Sequence, residues 1–157
     1  MFENMKTIIV ENYEPFGFFF NLKLKMELGI KTTLFSNCYS LGLLKIAKMK
    51  PELAFLDASS ISKEKIQKSA KFIEKIKKYS PSTKIIGLWT IKDDDDCKFL
   101  KEKGLDLYCP KDIETNELKK IIKELFENEY FENLEDEREE ILSSKNYKNC
   151  KNSFNIA

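Results

Sequence analysis

The chain is predicted to fold as an α/β domain, an open parallel sheet with helices on both faces. Three observations predict it. Short apolar runs suited to buried strands alternate with stretches of helical periodicity, five times over. Pro15, Gly29, Pro51, Pro81 and Gly104 fall at the junctions between those segments. A length of 157 residues, 42% hydrophobic and 34% charged, fits one domain with one core and not a disordered chain.

The elements follow in order. Thr7–Val10 is a short apolar run that ends at Glu11 and Asn12, and it reads as a buried strand. Pro15 suits the first turn of a helix and Gly29 its C-terminal end, with Phe16, Phe20, Leu24 and Leu28 along one face. Ile30–Phe35 is a second strand, partly polar and so placed near an edge. Ser36 or Asn37 can cap a helix to about Met49, which Pro51 stops. Leu53–Leu56 is a third, fully apolar strand leading into Asp57. Ser62 can cap a long helix whose Ile66, Ala70 and Ile73 keep helical spacing up to Pro81. Lys84–Thr90 is a fourth strand. Asp93 to Asp96 open a helix that ends at Gly104. Asp106–Cys109 is a fifth strand, and Glu114 to Phe126 a last amphipathic helix.

Composition excludes several chemistries. The chain has no histidine, so neither a Ser-His-Asp nor a Cys-His catalytic set can form, nor a zinc site with His ligands. Arg138 is the single arginine among 27 basic residues, which leaves bidentate arginine readout of guanine or phosphate nearly absent. Cys38, Cys97, Cys109 and Cys150 make no C-x-x-C pair; the first three, near apolar segments, are expected to be small buried hydrophobes. The Phe16 to Leu28 stretch is too short and too charged to span a membrane, and no signal-peptide pattern is visible, so a cytoplasmic location with reduced thiols is expected.

Charge divides the chain. The net charge is +1, yet Glu127 to Leu142 carries −7. The expected organisation is a folded body over 1–126 and an acidic, then Lys/Asn-rich extension over 127–157, helical or disordered. Asp93 to Asp96 could suggest a metal, but acidic residues at a helix N-terminus are favoured there by free N–H groups and the macrodipole. Of Phe18-Phe19-Phe20, not all can face one core, and one is expected on a partner surface.

In open parallel sheets ligands bind at the carboxyl ends of the strands, where the strand order reverses. The residues predicted at those ends are Glu11, Asn12, Asp57, Trp89, Thr90 and, just past the fifth strand, Lys111. Two carboxylates and an ammonium meeting there could hold a divalent cation on oxygen and neutralise an incoming phosphoryl group. Each residue alone has a plainer reading. Asp57 could cap a loop, Lys111 could be solvated, Glu11 and Asn12 could end a strand, and Tyr108 could simply pack.

Three segments carry a resemblance: Ile8-Ile9-Val10-Glu11-Asn12, Pro51 to Asp57, and Gly104 to Lys111. Over residues 5 to 126 the chain resembles the CheY-like receiver domain of bacterial response regulators. The resemblance implies a flavodoxin-like (βα)5 doubly wound sheet, with strand order 2-1-3-4-5. It implies that Asp57 is the phosphoacceptor, Lys111 the phosphate contact and Tyr108 the switch aromatic. It implies a Mg2+ site on Glu11, Asn12 and Asp57. The phosphate-sensing hydroxyl falls on Thr90 by one spacing and on Trp89, which has none, by another. A histidine kinase or phosphotransfer protein would act upstream and a protein partner downstream, with Lys98 to Lys123 as the output face.

The chain also departs from that pattern. Asn12 replaces an acid and holds a hard dication less well. Ala58 to Ser62 lacks the family's proline and glycine, and the helix after it is displaced by about one turn. Asp112 stands where a proline follows the lysine. Two functions result. One is a stand-alone receiver phosphorylated on Asp57; the other is a pseudo-receiver, a phosphorylation-independent interaction module. Neither is an enzyme in its own right. A flavodoxin or nucleotide-binding role fails because Glu11 to Pro15 has no Gly-rich cradle. DNA binding fails because little chain remains after 126 and it is acidic first. Monomer and homodimer both stay open.

Overall fold

The computed structural model describes residues 2–127. These residues fall into two compact units, the first ending at Thr115 and the second beginning at Asn116. The expected extension over 127–157 lies, but for Glu127, outside the described residues.

Within the first unit, strands β1 (Lys6–Val10), β2 (Thr32–Ser36), β3 (Leu53–Asp57), β4 (Lys84–Trp89) and β5 (Leu107–Pro110) alternate with helices α1 (Glu14–Met26), α2 (Tyr39–Met49), α3 (Lys63–Tyr79) and α4 (Asp94–Glu102). All strand pairs are parallel and the order is β2-β1-β3-β4-β5. A fifth helix, α5, runs over 115–127. Along α5, Lys120 pairs with Glu124 and Lys123 with Glu127 at i,i+4 spacing.

The alternation of strand side chains divides the core. Ile8 and Val10 of β1 and Ala54 and Leu56 of β3 join Ile46 of α2, Ile66, Ile73 and Ile76 of α3, and Leu100 of α4 in one cluster. Phe55 points the other way, and its ring meets Phe20 of α1 edge-on at 5.0 Å. Every residue of β3 is buried, which is why its sequence is a continuous apolar run rather than an alternating one.

Helix ends follow local chemistry. The Ser62 hydroxyl accepts the Lys65 N–H and starts α3, as its position predicts. The Asp93 carboxylate accepts the Asp96 N–H at 2.9 Å, so this acidic run opens α4 as a cap. Gly29 and Gly104 adopt positive φ (74° and 118°) just after α1 and α4, a conformation that costs glycine little. Strand ends shift by a residue or two from the sequence expectation (β2 begins at Thr32, β4 ends at Trp89, β5 begins at Leu107), and four details have a local cause. The N-cap of α2 is Cys38, whose side chain makes no capping bond, because β2 extends to Ser36 and the Ser36 hydroxyl donates instead to the Cys38 carbonyl. β5 runs to Pro110, one residue further than expected, since Trp89 still pairs with it. Cys38 and Cys97 are half-buried and only Cys109 is buried, because the first two sit at helix starts and not under them. Phe18 and Phe19 are both exposed while Phe20 is buried, since α1 has one sheet-facing stripe.

No helix among the described residues is long and apolar enough to cross a membrane.

Gly87 on β4 has no room for a side chain: a Cβ there would lie 2.9 Å from the Ala58 Cβ and 3.1 Å from the Tyr108 ring. Ala58 cannot swing aside. Gly87→Ala is therefore expected to lower unfolding stability by about 1–3 kcal/mol through overpacking. Urea denaturation at neutral pH measures this, and an unchanged midpoint would mean the Ala58 backbone yields freely.

Candidate functional site

The order reverses between β1 and β3, so the crevice lies at their carboxyl ends. β1 delivers Glu11 there and β3 delivers Asp57. β5 ends at Pro110, and the Lys111 N–H donates to the Trp89 carbonyl at 2.8 Å, which fixes the backbone of Lys111 beside the same edge.

These three side chains meet as their positions predict. The Lys111 ammonium lies 2.9 Å from Glu11 Oε2 and 3.5 Å from Asp57 Oδ1. Glu11 is buried, and its Oε1 accepts the Tyr13 N–H at 3.0 Å. Lys111 also stands over the Phe16 ring at 4.6 Å, an added attraction for its charge.

A fourth group, which sequence reasoning missed, completes the set. Lys65, in the first turn of α3, donates to Asp57 Oδ2. No signal marks it in a chain this rich in lysine. Its placement depends on the Ala58 to Ser62 loop. There the Ala58 N–H donates to the Leu88 carbonyl at 2.8 Å and the Ser60 N–H to the Ile91 carbonyl at 2.8 Å. The Ser59 hydroxyl accepts the Thr90 N–H at 2.8 Å. The loop thus runs along the end of β4 before Ser62 begins α3, and the first turn of that helix comes back over Asp57.

Asp57 is consequently engaged on both oxygens. Oδ2 accepts from Lys65; Oδ1 accepts the Ser59 N–H at 3.1 Å and faces Lys111. Burial acts to raise its pKa, but the Lys65 hydrogen bond, the Lys111 charge and the Ser59 N–H outweigh it and hold the carboxyl below the usual carboxylate range.

The remaining candidates lie around this cluster. Asn12 is exposed and lines, with Val10, Asn37, Cys38, Asp57 and Lys65, a cavity of about 430 Å³. The Tyr108 hydroxyl donates to the Ala58 carbonyl at 2.7 Å, and burial pushes its pKa up. Thr90 is exposed just past β4, with its N–H on Ser59, while Trp89 is the half-buried last residue of that strand.

The donor set does not fit the dication that the resemblance implies. Glu11 and Asp57 supply two negative charges, and Lys65 and Lys111 two positive ones, so the cluster is already neutral. Asp57 Oδ2 and Glu11 Oε2 both accept from ammonium groups. Asn12 offers a neutral amide. Among the described residues no group of three His, Cys, Asp or Glu side chains could hold a metal ion.

Comparison with solved structures shows what fold this is. The chain is similar to a CheY-like response regulator receiver domain protein from Methanospirillum hungatei JF-1, at 23% identity and TM-score 0.62, over 81% of this chain and 98% of that one. It is similar to the signal receiver domain of the putative response regulator NarL from Mycobacterium tuberculosis, at 14% identity and TM-score 0.65, over 78% and 95%. A response regulator from Thermotoga maritima matches at 19% identity and TM-score 0.63, over 78% and 98%. No protein-family model matches the chain, and no curated protein matches it either. The fold is that of receiver domains: five parallel strands in the order 2-1-3-4-5 with five helices.

The Asp57 ion pairs make stability depend on acid in a definite direction. A carboxyl held below its unfolded value of about 3.9 stabilises the fold above that pH, and the contribution fades as pH falls toward the folded value. Asp57→Asn is expected to cost about 3 kcal/mol at pH 7, the low end for breaking a buried pair, because Lys65, with a side chain 22% exposed, can turn to solvent. The gap between wild type and variant should begin to narrow only below about pH 4 and close as pH falls through the folded value. Chemical denaturation of both proteins across pH 3 to 7 tests it; a gap that stays constant would show that the Asp57 charge contributes nothing.

Proposed function

We propose that this chain is a receiver-fold signalling module that acts through contact with a protein partner and does not depend on phosphorylation of Asp57. One observation carries the reading: both oxygens of Asp57 are held by cations and an N–H of the chain itself. A carboxylate attacks a phosphoryl donor through a free lone pair, with positive charge placed for the incoming oxygens. Here Lys65 lies on one oxygen, where donor and metal would have to approach, and the cluster's charge is already balanced.

The receiver fold supports a signalling role, and the cavity beside Asp57 is lined by no histidine. The proposed partner is a protein; the loop after β1, Glu11 to Pro15, has none of the glycines with which such loops cradle nucleotide phosphates.

A second reading has its own support. Glu11, Asp57, Lys111 and Tyr108 stand in the order that the resemblance assigns to a phosphorylated receiver, with Lys111 3.5 Å from Asp57 Oδ1. The two readings differ in one outcome. Incubated with magnesium and acetyl phosphate, the wild-type chain is expected to keep its intact mass. Gain of one phosphoryl group, lost in Asp57→Ala, would replace the first reading by the second.

A further inference from the structure

We infer that Lys65 is the resident cation of this site: its ammonium takes the face of Asp57 that a divalent ion would need, so a tethered counterion stands where a diffusible one would otherwise bind. The inference rests on the functional reading above and assigns the cause of Asp57's inertness to one residue.

Geometry supplies the first argument. Lys65 donates to Asp57 Oδ2, and its side chain is only 22% exposed although it starts on a helix surface. The long stem is laid down into the cavity that Asn12 and Asp57 share, instead of extending into water as lysine normally does. Lys68, one turn further along α3, behaves differently: it pairs at the surface with Glu64, with a side chain 64% exposed.

Charge supplies the second. With Lys65 present the four ionised groups sum to zero, and a dication added to them would leave an excess of two. Remove the Lys65 charge and the set becomes −1. Replace Asn12 by aspartate as well and it becomes −2, with the carboxylates at 12 and 57 lining one cavity and Glu11 buried beside Asp57, oxygen donors of the kind hard cations take.

Tethering supplies the third. The α3 backbone at Lys65 is fixed by its own N–H on the Ser62 hydroxyl at 3.1 Å. An ammonium held this way competes at a high effective concentration, which a free ion at ordinary levels must overcome.

The competing explanation is that Asn12 alone, as a neutral ligand, keeps metal out. Four proteins separate the two: wild type, Asn12→Asp, Lys65→Gln, and the double variant. Binding is read directly by manganese titration with detection of the free ion by electron paramagnetic resonance, and again by the shift in melting temperature with millimolar magnesium. If Lys65 is the resident cation, wild type binds neither ion measurably, and the double variant binds manganese at least about tenfold more tightly than Asn12→Asp alone, as expected for coupled neighbours. Asp57→Asn in the double-variant background should abolish that gain. Equal affinity of Asn12→Asp and the double variant would overturn the assignment, as would manganese binding by wild type as tight as by the double variant. Lys65→Met replaces Lys65→Gln should the latter not fold, because it keeps an unbranched apolar stem of similar length and removes the ammonium group. Failure here is distinct from failure of the functional reading. Phosphorylation of the wild-type chain sinks that reading, whereas an unphosphorylated wild type with no gain in the double variant sinks only Lys65.

Discussion

A carboxylate at the end of a fully buried strand has to be neutralised where it stands, and much of this structure follows from how Asp57 meets that demand. β3 is central and covered on both faces. An ionised side chain at its end loses water on every side but one. Left alone, the group would stay protonated or the strand would end earlier. Instead Lys111 arrives from beyond β5 and Lys65 from α3, and Asp57 stays charged. The Ala58 to Ser62 loop, the Ser62 cap and the placement of Lys111 against the Trp89 carbonyl can each be read as a means of delivering those two ammonium groups.

Two ways of balancing such a site have different consequences. A diffusible dication can leave, so the charge at the aspartate is set by solution conditions. A lysine on a helix cannot leave, so the charge is set by the fold. In the first arrangement, adding a phosphoryl group exchanges one counterion pattern for another. In the second, the neutral cluster of Glu11, Asp57, Lys65 and Lys111 is a structural tie between β1, β3, β5 and α3. Breaking one member leaves its partner charged and partly buried, which is why such clusters resist change more than their net worth to stability implies.

The fold was legible in the sequence because the signals for it are local. Apolar runs such as Leu53 to Leu56 and the Ser62, Asp93 and Gly29 punctuation act within a few residues, and each stands at or within about two residues of where pattern alone puts it. The meeting of Glu11, Asp57 and Lys111 was also legible, because a parallel sheet gathers its strand ends at one edge. Lys65 was not. Its role depends on the length and path of a loop with no strong turn residues, and on one rotamer among 26 lysines. Helical spacing places it a turn after Ser62, on a helix rich in surface charge, where a solvated lysine is the ordinary outcome. The Cys38 cap of α2 escaped for a similar reason: Ser36 and Asn37 are better capping residues, but Ser36 is committed to the end of β2.

The loop after Asp57 is where a fixed site reaches the rest of the molecule. Its Ala58 carbonyl accepts the Tyr108 hydroxyl, and its Ser59 hydroxyl accepts the Thr90 N–H. Residues past β4 and on β5 are therefore bonded to the same short segment that carries Asp57 into α3. If Lys65 and Lys111 hold Asp57, they also hold that segment, and Tyr108 and Thr90 keep one arrangement. Coupling of this kind is reciprocal. A partner that favours a different Tyr108 position must loosen the Ala58 bond, and with it the loop that brings Lys65 over Asp57. In a module built this way, a partner that shifts Tyr108 and a change in what holds Asp57 would each be felt at the other site, through the same two bonds of the Ala58–Ser59 segment.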